Sequence, residues 1–320
     1  MKIVLLGAQR PVPSLAQAVE ALGLSGPFAL ASAGWQEYEE DDDEIEEQLK
    51  GRVMNLRLHH RGELVFSSDG DFHAAYRARQ ERLRQYQDLY RVRLDHAQQA
   101  AAAVLRRRVD PDLVELEEEA CIQAIRQLDA QHLARCRDQH VQFDRKWKPS
   151  ERAVVERHRK ELASMIGDSG ALLIAGGHVA VLLNRLKLFD IAGLIEERVV
   201  IAWSAGAMAI SDRVVLYHDS PPQGRPIAEV LDTGVGLCPD VVPLTNPDRR
   251  LNLEDKERVA NYARRFAPAL CLAMGKGSRV THDGQSWVDA HSVKRLMPDG
   301  STPDLERKGG TDADQASPAA

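Results

Sequence analysis

Two apolar runs, each ended by a turn of small residues and followed at once by a helical pattern, constrain this chain most. The first is Ala171 to Ala175, which stops at Gly176-Gly177-His178 and leads into helical spacing over Val179 to Leu188. The second is Val199 to Ala202, which stops at Trp203-Ser204 and turns into a helix start over Ala205 to Ile210. Neither run alternates polar with apolar residues, so both read as strands buried on two faces. Strand, helix, strand in this order predicts a parallel sheet with helices on its faces.

The beginning of the chain repeats the pattern. Lys2 to Gly7 reads as a buried strand, Ser14 to Leu24 as a helix with Ser14 as N-cap, and Phe28 to Ala33 as a second strand. The acidic run from Glu37 to Glu47 reads as a solvated loop and helix start, because such a block repels itself. Val53 to Leu58 alternates, and Glu63 to Ser67 reads as a neighbouring strand. From Asp71 to Trp147 glycine is absent and helix formers dominate, with a break at Asp110-Pro111. This predicts two long helices joined by a tight turn. The α/β pattern resumes at Pro149, with Ser150 as a helix cap. A Pro- and Gly-rich loop, a strand near Val241, a helix from Leu253 to Phe266 and short strands at Ala269 to Met274 and Arg279 to Val280 follow. The expected division is an α/β core over 1–70 and 148–300, an inserted helical hairpin over 71–147 and a disordered tail over 301–320.

The chain has 320 residues and a net charge of −6. That allows one large domain or two smaller ones, with a sizeable core. No apolar run reaches the roughly 18 residues of a membrane span. The opening MKIVLLGAQRP reads as a strand and not as a signal peptide, which predicts a cytoplasmic protein with no membrane partner. Cys121, Cys136, Cys238 and Cys271 form no C-x-x-C pair and read as buried free thiols. The first hairpin arm is rich in arginine and the second opens acidic. We read these charges as pairing within the hairpin, with solvent or with the hairpin of a second subunit in a homodimer, rather than as contacts to nucleic-acid phosphates.

The turn at Ser204 has the layout of a nucleophile elbow, in which a strand stops at the serine and a helix starts immediately behind it. Its small neighbours permit the tight turn, and the helix start offers free N–H groups to an oxyanion. The glycine usual two residues earlier is Ala202. The Gly176-Gly177 turn can bring a second N–H close to the same oxygen.

This pair of motifs resembles the peptidase E and cyanophycinase group of serine peptidases. There a Gly-Gly-Gly-Asn type turn, a Leu-Leu-Asn-like helix and a Ser-Ala-Gly-Ala elbow occur in this order; here they are matched by Gly176-Gly177-His178, Leu182-Leu183-Asn184 and Ser204-Ala205-Gly206-Ala207. The similarity spans Ala171 to Val280 and does not include the hairpin. It implies a class I glutamine-amidotransferase-like fold, a flavodoxin-like three-layer α/β arrangement with a mostly parallel sheet. It also implies a peptide-like or small-molecule ligand and no cofactor or metal. Ser204 would be the nucleophile, and the N–H groups of Gly177 and Ala205 the oxyanion hole, with Gly176 shaping the turn. The family's other triad members do not carry over. Pro243-Leu244-Thr245-Asn246 replaces its histidine segment and Gly275-Lys276-Gly277-Ser278 its acid. His178, His218 and Lys276 are the candidate replacement bases. Two functions therefore stand: an amide hydrolase with a rebuilt triad, and a binding or assembly module that has lost the chemistry.

Overall fold

The computed structural model describes residues 1–221 and 226–305. The apolar runs form β1 (Ile3–Leu6), β2 (Phe28–Ala31), β3 (Val53–Asn55), β4 (Ala171–Ile174) and β5 (Val199–Trp203), which pair in parallel in the order β1-β5-β4-β2-β3. β6 (Arg213–His218) and β7 (Ile227–Thr233) form a separate antiparallel ribbon. β8 (Val241–Thr245), β9 (Leu270–His282) and β10 (Trp287–Arg295) extend the main sheet to eight strands. β9 runs parallel to β8 over Leu270 to Met274 and antiparallel to β1 over Arg279 to His282. β1 and β8 thus share one edge of β9 and point at each other, their C-terminal ends meeting at Gly275 to Ser278.

Side chains alternate between the two faces of each strand, as the strand period of two demands. Val4, Leu6, Leu173 and Ile201 pack on α1 (Leu15–Ala21) and α2 (Asp43–Leu49). Ile3, Leu5, Leu172 and Val200 face the larger core. That core takes in α3 (Leu58–Ser68), α4 (Gly70–Leu105), α5 (Pro111–Trp147), α6 (Ala153–Gly167), α7 (Val179–Leu188) and α8 (Ala205–Ile210). The short α9 (Pro247–Arg250) and α10 (Lys256–Phe266) complete the helices. The result is a three-layer α/β fold with a mostly parallel sheet, as the strand–helix–strand order requires.

α4 and α5 are the two expected arms, each roughly 55 Å long at about 1.5 Å per residue. The break is where Asp110-Pro111 placed it, with Pro111 in the first turn of α5, where its missing N–H costs nothing. The arms do not project freely. Tyr76 donates to Asn184 O at 3.0 Å and Gln80 to Asn184 Oδ1 at 2.8 Å, fixing α4 to α7. His132 stacks on Tyr90 at 4.3 Å and shares a hydrogen bond with Leu231 O at 3.1 Å, fixing α5 to β7. Several arginines serve this packing: Arg91 donates twice to Glu229 at 2.7 and 2.8 Å. Pairing within the chain therefore uses part of the arginine-rich face.

Several local expectations are corrected. Glu63 to Ser67 is helical, inside α3, because Leu58, Val65 and Phe66 are buried at helical spacing. Ser150 lies in a short 3-10 turn and does not cap α6, whose N-cap position is Arg152. Ser14 occupies the N-cap position of α1 without a capping bond. Gln9 does the work instead, its Oε1 accepting from the N–H groups of Ser14 and Leu15 at 2.9 and 3.0 Å. The two short strands after Ala269 are one continuous strand, β9. The ribbon and β10 escape sequence reading because their register shifts interrupt the alternation. Asp304 bridges to Lys294 and the Leu305 N–H bonds Val293 O, so the chain is ordered into the first residues of the expected tail. Residues 306–320 lie outside the described residues. Cys136, Cys238 and Cys271 are buried and Cys121 is half-buried, and all four are free. Among the described residues no helix is long and apolar enough to cross a membrane.

Candidate active site

Ser204 sits between β5 and α8 with φ 51° and ψ −124°. Only glycine adopts this conformation freely, and another residue held there carries about 1–3 kcal/mol of strain. The surroundings impose it. β5 is locked between β1 and β4, and α8 begins at the very next residue. Gly206 permits that abrupt start, since a Cβ there would lie 2.2 Å from Ile174 O. Gly176 lets the two turns touch, since a Cβ on it would fall 2.7 Å from Ser204 Cβ and 3.5 Å from the Ala205 nitrogen. The Ala205 N–H opens α8 and so has no acceptor within the helix. Gly177 has φ +107°, and the following amide, of His178, is taken by Gly34 O at 2.7 Å. Ser204, Gly176, Gly177 and Ala205 are therefore one cluster, as their motif spacing requires.

Replacing Ser204 by glycine is expected to stabilise the protein by about 1 kcal/mol, because the backbone strain goes and a half-buried hydroxyl is no loss to the core. Ser204→Ala keeps the strain and should be near neutral. Urea unfolding of the three proteins distinguishes them, and equal stability of Ser204→Gly and Ser204→Ala would mean that the turn is not strained.

The cluster forms the floor of a cleft of about 460 Å³. Trp35, Trp203 and Ile45 supply apolar wall, and Gln9, Gln48, Asp41 and Glu44 supply polar rim. Arg10 pairs with Glu44 at 2.8 Å, a contact between two exposed groups worth little in water. The first fifty residues thus furnish most of the cleft, which the reading of Glu37 to Glu47 as a solvated block misses. Part of that block turns inward. Glu39 is 2% exposed, and its carboxylate accepts from the His59 and His60 N–H groups at 2.8 and 3.0 Å, capping α3. Burial raises its pKa against the opposing pull of those two bonds. The signal available beforehand was the mixture of Trp35, Tyr38 and Ile45 with the acids, which a purely solvated segment does not need.

Among the described residues no histidine lines the cleft. His178 is exposed, and its Nδ1 accepts from the Val181 N–H at 3.3 Å, capping α7. His218 ends β6 and its Nδ1 is buried without a hydrogen-bond partner among the described residues. Asp219 beside it is engaged by the Asn252 N–H and Arg258 Nε, each at 2.9 Å. Lys276 is exposed, so the burial that a Ser–Lys pair needs is missing. The Ser204 hydroxyl itself has no hydrogen bond among the described residues. Nor does any group of three His, Cys, Asp or Glu residues among them form a metal site.

No family model matches the chain, and no curated protein does. Among solved structures, a peptidase from an acI-B1 actinobacterium matches 96% of this chain and 95% of its own, at 12% identity and a TM-score of 0.47. A candidate peptidase E protein from Listeria monocytogenes EGD-e matches 43% of this chain and 65% of its own, at 16% identity and a TM-score of 0.27. Likenesses this distant assign no family.

Proposed function

We propose that the chain is a divergent relative of the peptidase E-like serine hydrolases that binds a peptide-like or small-molecule ligand in the Ser204 cleft without efficient turnover. The observation that carries this reading is a strained elbow serine whose hydroxyl no base touches among the described residues. A serine hydroxyl is a weak nucleophile unless a base within hydrogen-bond reach takes its proton. Loss of that base costs on the order of 10⁴–10⁶ in rate, while an oxyanion site and a binding cleft survive on backbone geometry alone. The adjacent Ala205 and Gly177 amides suit a carbonyl or carboxylate oxygen, and Trp35 and Trp203 suit the apolar part of a ligand.

One observation favours a hydrolase. Strain of this kind persists at sites where it is used, and a chain free to drift could relieve it with a single change to glycine. Labelling with a fluorophosphonate probe, read by intact mass beside Ser204→Ala, separates the two. A binding protein leaves the wild type unlabelled after hours at neutral and alkaline pH. A single adduct lost in Ser204→Ala would overturn this reading in favour of acyl transfer through an activated Ser204.

A further inference from the structure

A second cleft, of about 470 Å³, lies along the seam where the helical hairpin meets the α/β core. Its walls come from α4 and α5 on one side and from the C-terminal half of α7 and the chain after β7 on the other. It is distinct from the Ser204 cleft, with which it shares no residue.

Arg79 of α4 lines it and is 5% exposed. Its guanidinium sits in the corner formed by the perpendicular rings of Tyr76 and Phe143, 4.1 and 4.2 Å from their centroids. Nε and one terminal nitrogen are buried with no hydrogen-bond partner, and the side chain has no carboxylate partner among the described residues. His140 of α5 is 9% exposed and lines the same cleft, but with Nε2 donating to Asp232 the Nδ1 of its neutral ring is an acceptor and offers an anion no bond. A guanidinium does not lose its charge in a protein, so burial without a counterion is costly.

The neighbouring charges do not supply one. Asp232 accepts from His140 Nε2 at 2.9 Å and from Lys187 Nζ at 3.4 Å. Lys187 is further satisfied by Thr233 O and Oγ1 at 2.7 and 3.0 Å. That cluster is closed: one ammonium against one carboxylate. Of the acids at the mouth, Glu151 pairs with Lys148 at 2.9 Å and Asp190 with Arg159 at 3.1 Å, while Asp144 is exposed. The inner wall therefore keeps one uncompensated positive charge, while the rim carries Arg137 and Asp144 as exposed charges of opposite sign.

We propose that this seam cleft binds an oxyanionic group, a phosphate or a carboxylate of a small molecule, with Arg79 as its counter-charge. Packed against two rings and 5% exposed, the guanidinium is already ordered and largely stripped of water. A partner then gains a charge-assisted bond without first ordering a long side chain.

The test uses the full chain in chloride buffer at fixed ionic strength, titrated with inorganic phosphate in one arm and with acetate in the other. Calorimetry and melting temperature are read together. In at least one arm the wild type should show saturable heat and a saturable rise in melting temperature, and the arm that responds identifies the anion. Arg79→Met should abolish both responses and, in chloride buffer without phosphate or acetate, melt no lower than the wild type, because it removes an unpaired buried charge and keeps an apolar stem against the rings. No saturable response to either anion in the wild type overturns the proposal, and so does an unchanged response in a folded Arg79→Met. Calorimetry on the wild type decides the first point even if the variant does not fold.

Discussion

Truncating Arg265 to alanine is expected to lower the stability by about 3–5 kcal/mol, since it strands a buried carboxylate. Arg265 donates through Nε and a terminal nitrogen to the two oxygens of Asp129, both at 2.8 Å, in the fork geometry that suits a carboxylate. Its other terminal nitrogen donates to Ala228 O at 2.7 Å. Tyr90 donates to the same Asp129 at 2.6 Å and accepts from the Val230 N–H at 3.2 Å. Asp129 is 3% exposed, so its charge has no water to fall back on. Four elements, α4, α5, α10 and β7, meet in this one network, and burial, with the Asp129 carboxylate beside it, pushes the Tyr90 hydroxyl far above its usual pKa against the opposing pull of Arg265. Asp129→Ala should cost about as much as Arg265→Ala, and the double variant much less than the sum. Urea unfolding of the cycle measures the coupling, and a coupling near zero would mean that the pair is not a unit.

Asp232→Asn is expected to cost a comparable amount at neutral pH and to remove an acid-sensitive step. Burial alone would raise the Asp232 pKa, but the His140 hydrogen bond and the Lys187 charge outweigh it and hold the carboxyl at about 2. An acid with a depressed folded value gives stability above its unfolded value, near 4, and loses it as the pH falls from 4 towards 2. The loss amounts to about 2–3 kcal/mol over that window. Melting temperature against pH should therefore fall more steeply below pH 4 in the wild type than in Asp232→Asn. Parallel curves would show that another carboxylate governs acid unfolding.

Legibility in the sequence followed burial. β1, β2, β4 and β5 are buried on both faces, so their apolar runs need no context to be read, and the bounds of α7 and α8 follow from the turns that precede them. The hairpin was legible for the opposite reason: long arms without glycine leave no other regular structure. α3 was misread because Leu64-Val65-Phe66 is a short apolar run that a strand and a helix can both carry, and only contact with α6 and α7 selects the helix. The cleft was half legible. Ser204, Gly176, Gly177 and Ala205 announce themselves because a tight turn demands small residues in fixed order. Trp35, Gln48 and Asp41 do not, because nothing in their own neighbourhood says that the sheet carries them to a serine far along the chain. Arg79 was visible only as one arginine among many, since its isolation depends on which residues fail to reach it.

The hairpin also bears on how far apart the halves of the sheet are in practice. Ala29 pairs with Leu172, and the whole of α4 and α5 lies between them. Were that segment a flexible loop, its closure would carry an entropy penalty that rises with the logarithm of its length. Instead the feet of the hairpin return to one place, with the rings of Phe72 and Phe143 5.8 Å apart. Once the two arms have zipped through their own local contacts, the strands they separate are joined by α2, β3, α3 and α6. Measured along the folded path, the parallel sheet is a short-range structure.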